Sequence, residues 1–421
     1  MTTTQIPEAC WSRLPQPHLP ERQALERLYR AAWAAVLGAV KRTPSWAGLG
    51  GTYLHPTPGD SMVQWDACFA AASLKYAQGA IPGLQSPLSL LDLFYSVQHE
   101  DGAIPRAITA DGRAIPNKFL IDDQRATPPE RRHHGFTHPP LFSWAEWEYH
   151  SHTGDESRLR RVLPHLAGYF DWYTNNRLHP QGYLWCNEYG TAMPSVVRED
   201  AWGRIDYTAQ AALDCEHLSN IACQADDMGI AGAASNNYLG FQDLVQARMW
   251  ESYENHFCDV DQREELVGGL HIGAYWPLMA GIALPEQGAA MVAHLRNVRH
   301  FARPGGVPLI PASRTGYGLQ PVVEGGCLYM VLRALRRVGQ DELAQEIALR
   351  TLGHLAEIHQ DFGVLPAAWS AEEVAPFVTA PGLAATSLLL PIAGLIEEVL
   401  GIRVQATTDR IDWHLRLNEP H

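Results

Sequence analysis

Between Gly182 and Asp206 the chain gathers Glu188, Arg198, Glu199 and Asp200 beside Trp185, Tyr189 and Trp202. Carboxyl groups so clustered are candidates for proton transfer, and the aromatic rings offer flat apolar faces with a polar handle. With two glycines after Gly182 and one proline, the stretch is too irregular for a helix, and strong helical periodicity flanks it over 157–177 and 207–229. A long connection loaded with charge and aromatics between two helices is where a scaffold usually puts chemistry. The alternative is a solvated, Trp-rich linker, which leaves large apolar rings in water. A second candidate is Trp65-Asp66 at a loop-to-helix junction, where Asp66 either caps the helix or holds ligand hydroxyls. Trp144 and Glu148 stand four residues apart on one helical face, which is either surface or cleft. Arg303 and Arg314 share a later irregular stretch and either bind a carboxylate or pair with the chain's own acids. Arg198 is the better candidate for a substrate anion, and Asp206 is expected to cap the helix that follows.

The elements that must carry these residues read as helices in consecutive pairs, about twelve in all, without βαβ alternation. Thr153-Gly154-Asp155 is a tight turn between two of them, and long helices are expected over 236–257 and 267–283. Irregular stretches recur at roughly 43–60, 108–137, 182–205, 302–324 and 361–381. Such a series makes an open superhelix or a closed double ring, and the aromatic-rich connections favour a closed ring with one functional mouth. No linker-like shift in composition divides the chain, so 1–421 is expected to form one all-α domain. It would have a short irregular start and a hairpin-like tail near 401–417.

The 421 residues carry a net charge of -14, and the pI is near 5.7. That balance argues against nucleic acid or an anionic membrane as a partner and leaves a small-molecule substrate. The start of the chain does not read as a signal peptide, and the apolar tract 383–402 contains a proline and two glutamates, so it reads as a buried helix. Seven cysteines without CxxC spacing point to reduced thiols in the cytoplasm and no structural zinc. Histidines cluster at 133–138, as a metal site or a polar cleft loop, and no cofactor is expected. Thirteen tryptophans exceed what a core of this size requires, and their flat faces suit sugar rings.

Taken in order, several short blocks resemble clan G inverting α-glycosidases: the trehalases and glycoside hydrolase family 63, with its mannosylglycerate and glucosylglycerate hydrolases. Trp65-Asp66-Ala67-Cys68-Phe69 is similar to the WDxxF signature, and Val97-Gln98-His99-Glu100-Asp101-Gly102 to a following block. His138-Pro139-Pro140-Leu141 with Trp144-Ala145, then Asp206-Tyr207-Thr208-Ala209-Gln210 and Tyr275-Trp276-Pro277-Leu278, extend the likeness over roughly 55–415. The resemblance implies an (α/α)6 barrel and inversion by two carboxyl groups, an acid on the leaving oxygen and a base on water, about 6.5–9.5 Å apart.

At the family's acid position this chain has Ala192, or Pro194 in a second register, and neither donates a proton. Ala192 is then an inactivating substitution, or Glu188, Glu199 or Asp200 has taken over, or hydrolysis has been abandoned. The base position falls on Glu372, or on Ser370 if Trp369 is aligned with the Trp that precedes the base. A Trp-Arg-Gly block near the substrate is rebuilt around Tyr317, Gln320 and Glu324. The resemblance thus implies catalytic positions at Glu372, Ala192, Glu188 and Asp200. It implies substrate contacts from Trp65, Asp66, His138, Trp144, Tyr189, Arg198, Tyr317, Gln320, Glu324 and Trp369. The expected activity is hydrolysis of a small α-glycoside, glycosyl-polyol or glycosylglycerate. The rivals are a non-hydrolytic enzyme such as an isomerase, dehydratase or cyclase, and a sugar-binding protein without catalysis.

Overall fold

A computed structural model of the chain describes residues 6–84, 86–113, 139–186, 191, 193, 196, 198, 200–319, 321–377, 383–415 and 417. The main helices are α1 Gln23–Gly38, α2 Gln64–Leu74, α3 Ser89–Tyr95, α4 Phe142–Thr153, α5 Glu156–Arg177 and α6 Ile205–Gln224. They continue with α7 Met228–Arg248, α8 Trp276–Met279, α9 Pro285–Arg296, α10 Gly325–Arg337, α11 Asp341–Phe362 and a π-helix, Leu390–Val399. Short antiparallel pairs join the loops: β1 Val40–Arg42 with β2 Thr52–Leu54, β3 Ser61–Val63 with β4 Ala107–Thr109, and β5 Trp250–Glu251 with β6 His256–Phe257. The others are β7 Asp259–Val260 with β8 Leu266–Val267, β9 Val322–Glu324 with β10 Ala368–Ser370, and β11 Ile402–Gln405 with β12 Arg410–Trp413.

Two kinds of helix alternate. In α1 the buried residues Leu25, Leu28, Tyr29, Ala32, Trp33 and Val36 form one stripe at helical spacing, as in a helix with one face to water. In α2 every residue except Asp66 is buried, the pattern of a helix enclosed on all sides. The enclosed helices touch in chain order: α2 meets α4, α4 meets α6, α6 meets α8, and α8 meets α10. The π-helix and its 3₁₀ lead-in, Ala385–Leu388, meet both α10 and α2. Outside them, α5 and α7 pack on α6, and α11 packs on α10, the π-helix and α1.

At one end, a Cβ on Gly326 would lie 3.4 Å from Trp65 Nε1 and 3.2 Å from Thr386 Cγ2, so the starts of α2, α10 and the π-helix region converge. At the other end, Lys75 just past α2, Glu148 of α4, Arg333 of α10 and Glu397 of the π-helix form one buried network. Lys75 Nζ lies 3.0 Å from Glu148 Oε2 and 2.7 Å from Glu397 Oε1. Arg333 lies 2.6 Å from Glu148 Oε1 and 2.9 Å from Glu397 Oε2. The Tyr76 hydroxyl donates to Glu397 at 2.9 Å. Burial alone would push the Glu148 carboxyl up, but Arg333 and Lys75 outweigh it and hold it well below the usual carboxylate range. These helices therefore run parallel, their N-termini at one mouth and their C-termini at a charged floor.

Asp155 and Asp227 cap α5 and α7, accepting from Arg158 N at 3.1 Å and Ile230 N at 3.0 Å. The helix expected over 236–257 is displaced: α7 starts at Met228 behind its Asp227 cap and ends at Arg248. Residues 250–257 form a hairpin instead, with Trp250 opposite Phe257 and Asn255 at a φ of 60° in the turn. Over 267–283 the chain forms the end of β8, a 3₁₀ turn, Ile272–Tyr275, and the four-residue α8 instead of a long helix. Among the described residues no helix is long and apolar enough to cross a membrane.

The floor network yields a stability prediction. Arg333→Met leaves Glu148 and Glu397 with Lys75 as their one remaining close cation in the network, and unfolding free energy should fall by about 3–5 kcal/mol. Urea denaturation followed by circular dichroism measures this; an unchanged midpoint would show that the network does not hold these helices together.

Candidate active site

At the mouth, Asp66 lies in the first turn of α2 and Glu324 immediately precedes α10. Neither carboxyl caps its own helix. Both are half-buried. Burial pushes Asp66 up to about 7 against a hydrogen bond with the Thr57 side chain. Burial likewise pushes Glu324 up to about 7; the Cys327 thiol, 3.4 Å from its Oε2, opposes this and the Asp66 charge adds to it. Glu324 thus feels the Asp66 charge, and both acids are held near the point where they carry a proton at neutral pH.

Two glycines make this approach possible. A Cβ on Gly325 would sit 2.6 Å from the Thr386 carbonyl oxygen, a distance no side chain tolerates. The ring of Trp65 stands edge-on to Phe69 at 4.5 Å and 6.1 Å from Trp276.

Strand β9 carries Glu324 opposite Ala368 of β10, with Val323 opposite Trp369. Trp369 is buried and donates through Nε1 to Gly305 O at 2.8 Å. Ser370 Oγ accepts from the backbone N–H of Glu372 at 3.2 Å and of Glu373 at 3.1 Å, closing the turn after β10. Glu372 is the carboxylate this turn presents. Arg303 grips it through two 2.6 Å bonds, Nε to Oε1 and Nη2 to Oε2, and the Tyr317 hydroxyl donates to Oε1. Hydrogen bonding from Arg303 holds Glu372 below its ordinary value, and burial together with Glu372 raises Tyr317. The two open readings of Arg303 resolve into pairing with an acid of this chain.

Several expected site residues have other employment. Arg198 is buried and holds Asp206 at 2.7 and 3.1 Å and Asp259 at 3.3 and 3.4 Å, so its charge is already neutralised rather than offered to a substrate anion. Asp259 also accepts from Ile205 N at 2.9 Å, and His271 Nε2 lies 3.8 Å away. Asp206 therefore pairs with Arg198 instead of capping α6. Trp144 is fully buried, its ring 5.3 Å from Phe69, and is a core side chain rather than a binding platform. Asp200 sits on an exposed turn with φ at 62°. Glu148 belongs to the floor. Ala192, Glu188, Glu199, Pro194, Tyr189, His138 and Gln320 lie outside the described residues. Sequence reasoning missed Asp259, His271, Thr57 and Cys327, whose partners are recognisable only once distant loops meet.

Residues 60–365 match the mannosylglycerate hydrolase MGH1-like glycoside hydrolase domain. The chain belongs to that family. The resemblance drawn from Trp65-Asp66 and the later blocks is thereby borne out, and the chain is a glycoside hydrolase by family. The fold is shared with the GH63 mannosylglycerate hydrolase from Thermus thermophilus in complex with glucose, at 14% identity and a TM-score of 0.65, covering 87% of this chain and 99% of that one. That enzyme is also known in complex with Tris and D-glycerate, at 13% identity and a TM-score of 0.64, covering 89% of this chain and 99% of that one. Neutral trehalase from Saccharomyces cerevisiae is 12% identical with a TM-score of 0.59, covering 91% of this chain and 80% of that one. An uncharacterized protein of Borreliella burgdorferi is 24% identical over 375 residues, 85% of this chain and 75% of its own length.

The raised acids set a pH dependence. Their unfolded values are close to 3.8 and 4.5, against about 7 in the fold, so the native state binds the extra protons. Their contribution is complete below about pH 4 and is lost as pH rises through about 7. Glu324→Gln removes its share, so between about pH 5 and pH 8 the variant should lose less stability than the parent. Urea midpoints at the two pH values test this, and parallel loss in both proteins would refute the assignment.

Proposed function

We propose that the chain is an inverting glycosidase acting on a small α-glycoside, with the acid role carried by Glu324 in partnership with Asp66. The observation that carries this is the split between carboxyls placed by one two-stranded ribbon and the start of α2. Asp66 and Glu324 are raised to about 7 while Glu372 is held ionised. Two environments pushing acids apart is how one site supplies both a proton donor and a proton acceptor. Glu324 would protonate the leaving oxygen, its charge shared with Asp66, and Glu372 would take the proton from an attacking water. Trp65 is buried against Phe69 and Trp276 and would back the wall of the site rather than carry a sugar ring on an open face. The family acid position, Ala192, supplies no proton, and its loop would serve to shape the pocket. Glu188 remains a donor candidate there, and Tyr189, His138 and Gln320 remain candidate contacts, as does Tyr317.

The cyclic order of contact among the enclosed helices supports a closed (α/α)6 barrel in one domain, like the barrel the resemblance implies. The glucose and D-glycerate complexes of the Thermus enzyme support a hexosyl-glycerate or glycosyl-polyol as substrate class. The free cysteines support a reducing, cytoplasmic setting.

One observation favours a second reading. The bidentate Arg303 grip lowers the basicity of Glu372, which would suit a repurposed acid/base enzyme that does not activate water. The two readings separate on a panel of α-glucosides, α-mannosides, trehalose and glycosylglycerates, with the product anomer followed by NMR. The parent should hydrolyse one of them with inversion, and the rate should fall above about pH 7 as the acid ionises. Glu324→Gln should lower kcat by about 10²–10⁴-fold. If only Ala192→Asp hydrolyses, and Glu324→Gln leaves that activity intact, the acid belongs at position 192 and the proposal fails. If no variant hydrolyses any member, the second reading stands.

A further inference from the structure

A cavity of about 420 Å³ is lined by Glu254, His256, Gly269, Leu270, His294, His300, Pro311, Ser313 and Arg314. Neither Asp66, Glu324 nor Glu372 reaches it. Its walls come from the β5–β6 hairpin, the segment before α8, the end of α9 and the loop that follows. We propose that this cavity is a second binding site, for a neutral polyhydroxylated ligand of the size of a mono- or disaccharide.

The hydrogen-bonding pattern selects the ligand class. His294 Nε2 lies 3.1 Å from the carbonyl oxygen of Asn255, which only accepts, so this nitrogen carries the hydrogen. In neutral His294 the other nitrogen, Nδ1, is then an acceptor. His300 Nδ1, 2.9 Å away, must donate to it. Burial first, then the neighbouring His294 and Arg299, hold His300 below its ordinary value and keep it neutral. That leaves Nε2 of His300 as a bare acceptor on a ring that lines the cavity. Glu254 adds a second acceptor, 3.2 Å from His256 Nε2, while Ser313 and Arg314 bring donors. The Arg314 guanidinium attracts an oxyanion while the Glu254 carboxylate and the His300 lone pair repel it, whereas a sugar hydroxyl gives and accepts at once and so suits walls of both kinds. Leu270 and Pro311 supply apolar surface, and Tyr253, next to Glu254 on the hairpin turn, is 90% exposed. Among the described residues no three His, Cys, Asp or Glu side chains are arranged to hold a metal ion.

The site is tied to the active centre by a short path. The carbonyl of Arg314 accepts from Tyr317 N at 3.1 Å, and Tyr317 in turn holds Glu372. A saccharide in the cavity therefore rests on the turn that presents Tyr317.

Calorimetry on the full chain tests this with glucose and trehalose as neutral probes and inorganic phosphate and D-glycerate as anions. The proposal expects a saccharide-binding event that survives Glu324→Gln. It should weaken by about tenfold in Ser313→Ala and in His300→Phe. Circular dichroism verifies that both variants fold, and Ser313→Ala alone suffices if His300→Phe does not. Binding should also weaken as pH falls and His300 gains a proton. The charged and titratable groups facing it are His294, Arg299, Glu254, His256 and, across the cavity, Arg314, and the parent and His300→Phe profiles should diverge at the acid end. Saccharide binding abolished by Glu324→Gln and untouched by the cavity variants overturns the proposal, as does no saccharide binding at all. Phosphate or D-glycerate binding there in place of glucose overturns the ligand class. The proposal stands apart from the assignment of Glu324 as acid, because loss of hydrolysis in Glu324→Gln leaves the cavity reading unchanged.

Discussion

Everything at the mouth depends on four charges buried at the opposite end. Lys75 and Arg333 share Glu148 and Glu397, so α2, α4, α10 and the π-helix are held at their C-terminal ends by a single network. Cations there also face the negative ends of the helix dipoles. Such a network is weak as a source of net stability, since two hydrophobic pairs of the same size would do as well or better. What it supplies is register. An ion pair with a bidentate arginine tolerates little sliding, and a helix fixed at its floor has its first turn fixed at the mouth.

That register places Asp66 and Glu324 at two helix starts, where the dipole should favour their charged forms. The effect is worth ~0.3–1 kcal/mol, less than one pKa unit. The rise from 3.8 to about 7 for Asp66 runs the other way and is larger. Burial wins, and for Glu324 the nearness of Asp66 adds to it. Arg198 does not relieve the pair, because Asp206 and Asp259 have already claimed it. Among the described residues no cation is set against Asp66 or Glu324, so burial holds both near the point where they carry a proton, and Glu372 is ionised because Arg303 reaches it.

Much of this was legible in the sequence. Helix pairing followed from periodicity, Asp66 stood out at a loop-to-helix junction, and Glu324 was marked only by the resemblance, in a block rebuilt relative to the family. Arg303 pairing with an acid was one of two open readings. The failures share a cause. Arg198 is read locally as a free cation, yet Asp259, which helps neutralise it, lies 61 residues further along. Trp144 has the same helical spacing whether it faces a cleft or the core, since α4 is enclosed on several sides. Residues 250–257 continue the helical pattern of α7 by composition, yet the helix ends at Arg248 and the chain turns back through the left-handed Asn255 to pair Trp250 with Phe257.

The different surroundings of Ser370 and Glu372 show how a strand register places side chains. A one-residue slip in β9–β10 would turn Glu324 to the face now occupied by Val323 and Trp369, which are buried. The Trp369 bond to Gly305 O prevents that slip, and a Cβ on Gly305 would lie 2.4 Å from the Ser370 carbonyl, so the fit is close on both sides. With Trp369 fixed, Ser370 must end the strand, and its hydroxyl is used in closing the turn. The next carboxylate in line, Glu372, then emerges where Arg303 and Tyr317 meet it. One two-stranded ribbon therefore carries Glu324 and, two residues past its partner strand, Glu372. The protonated and the ionised carboxyl are set by one register, and a change that loosened the Trp369 anchor would misplace both together.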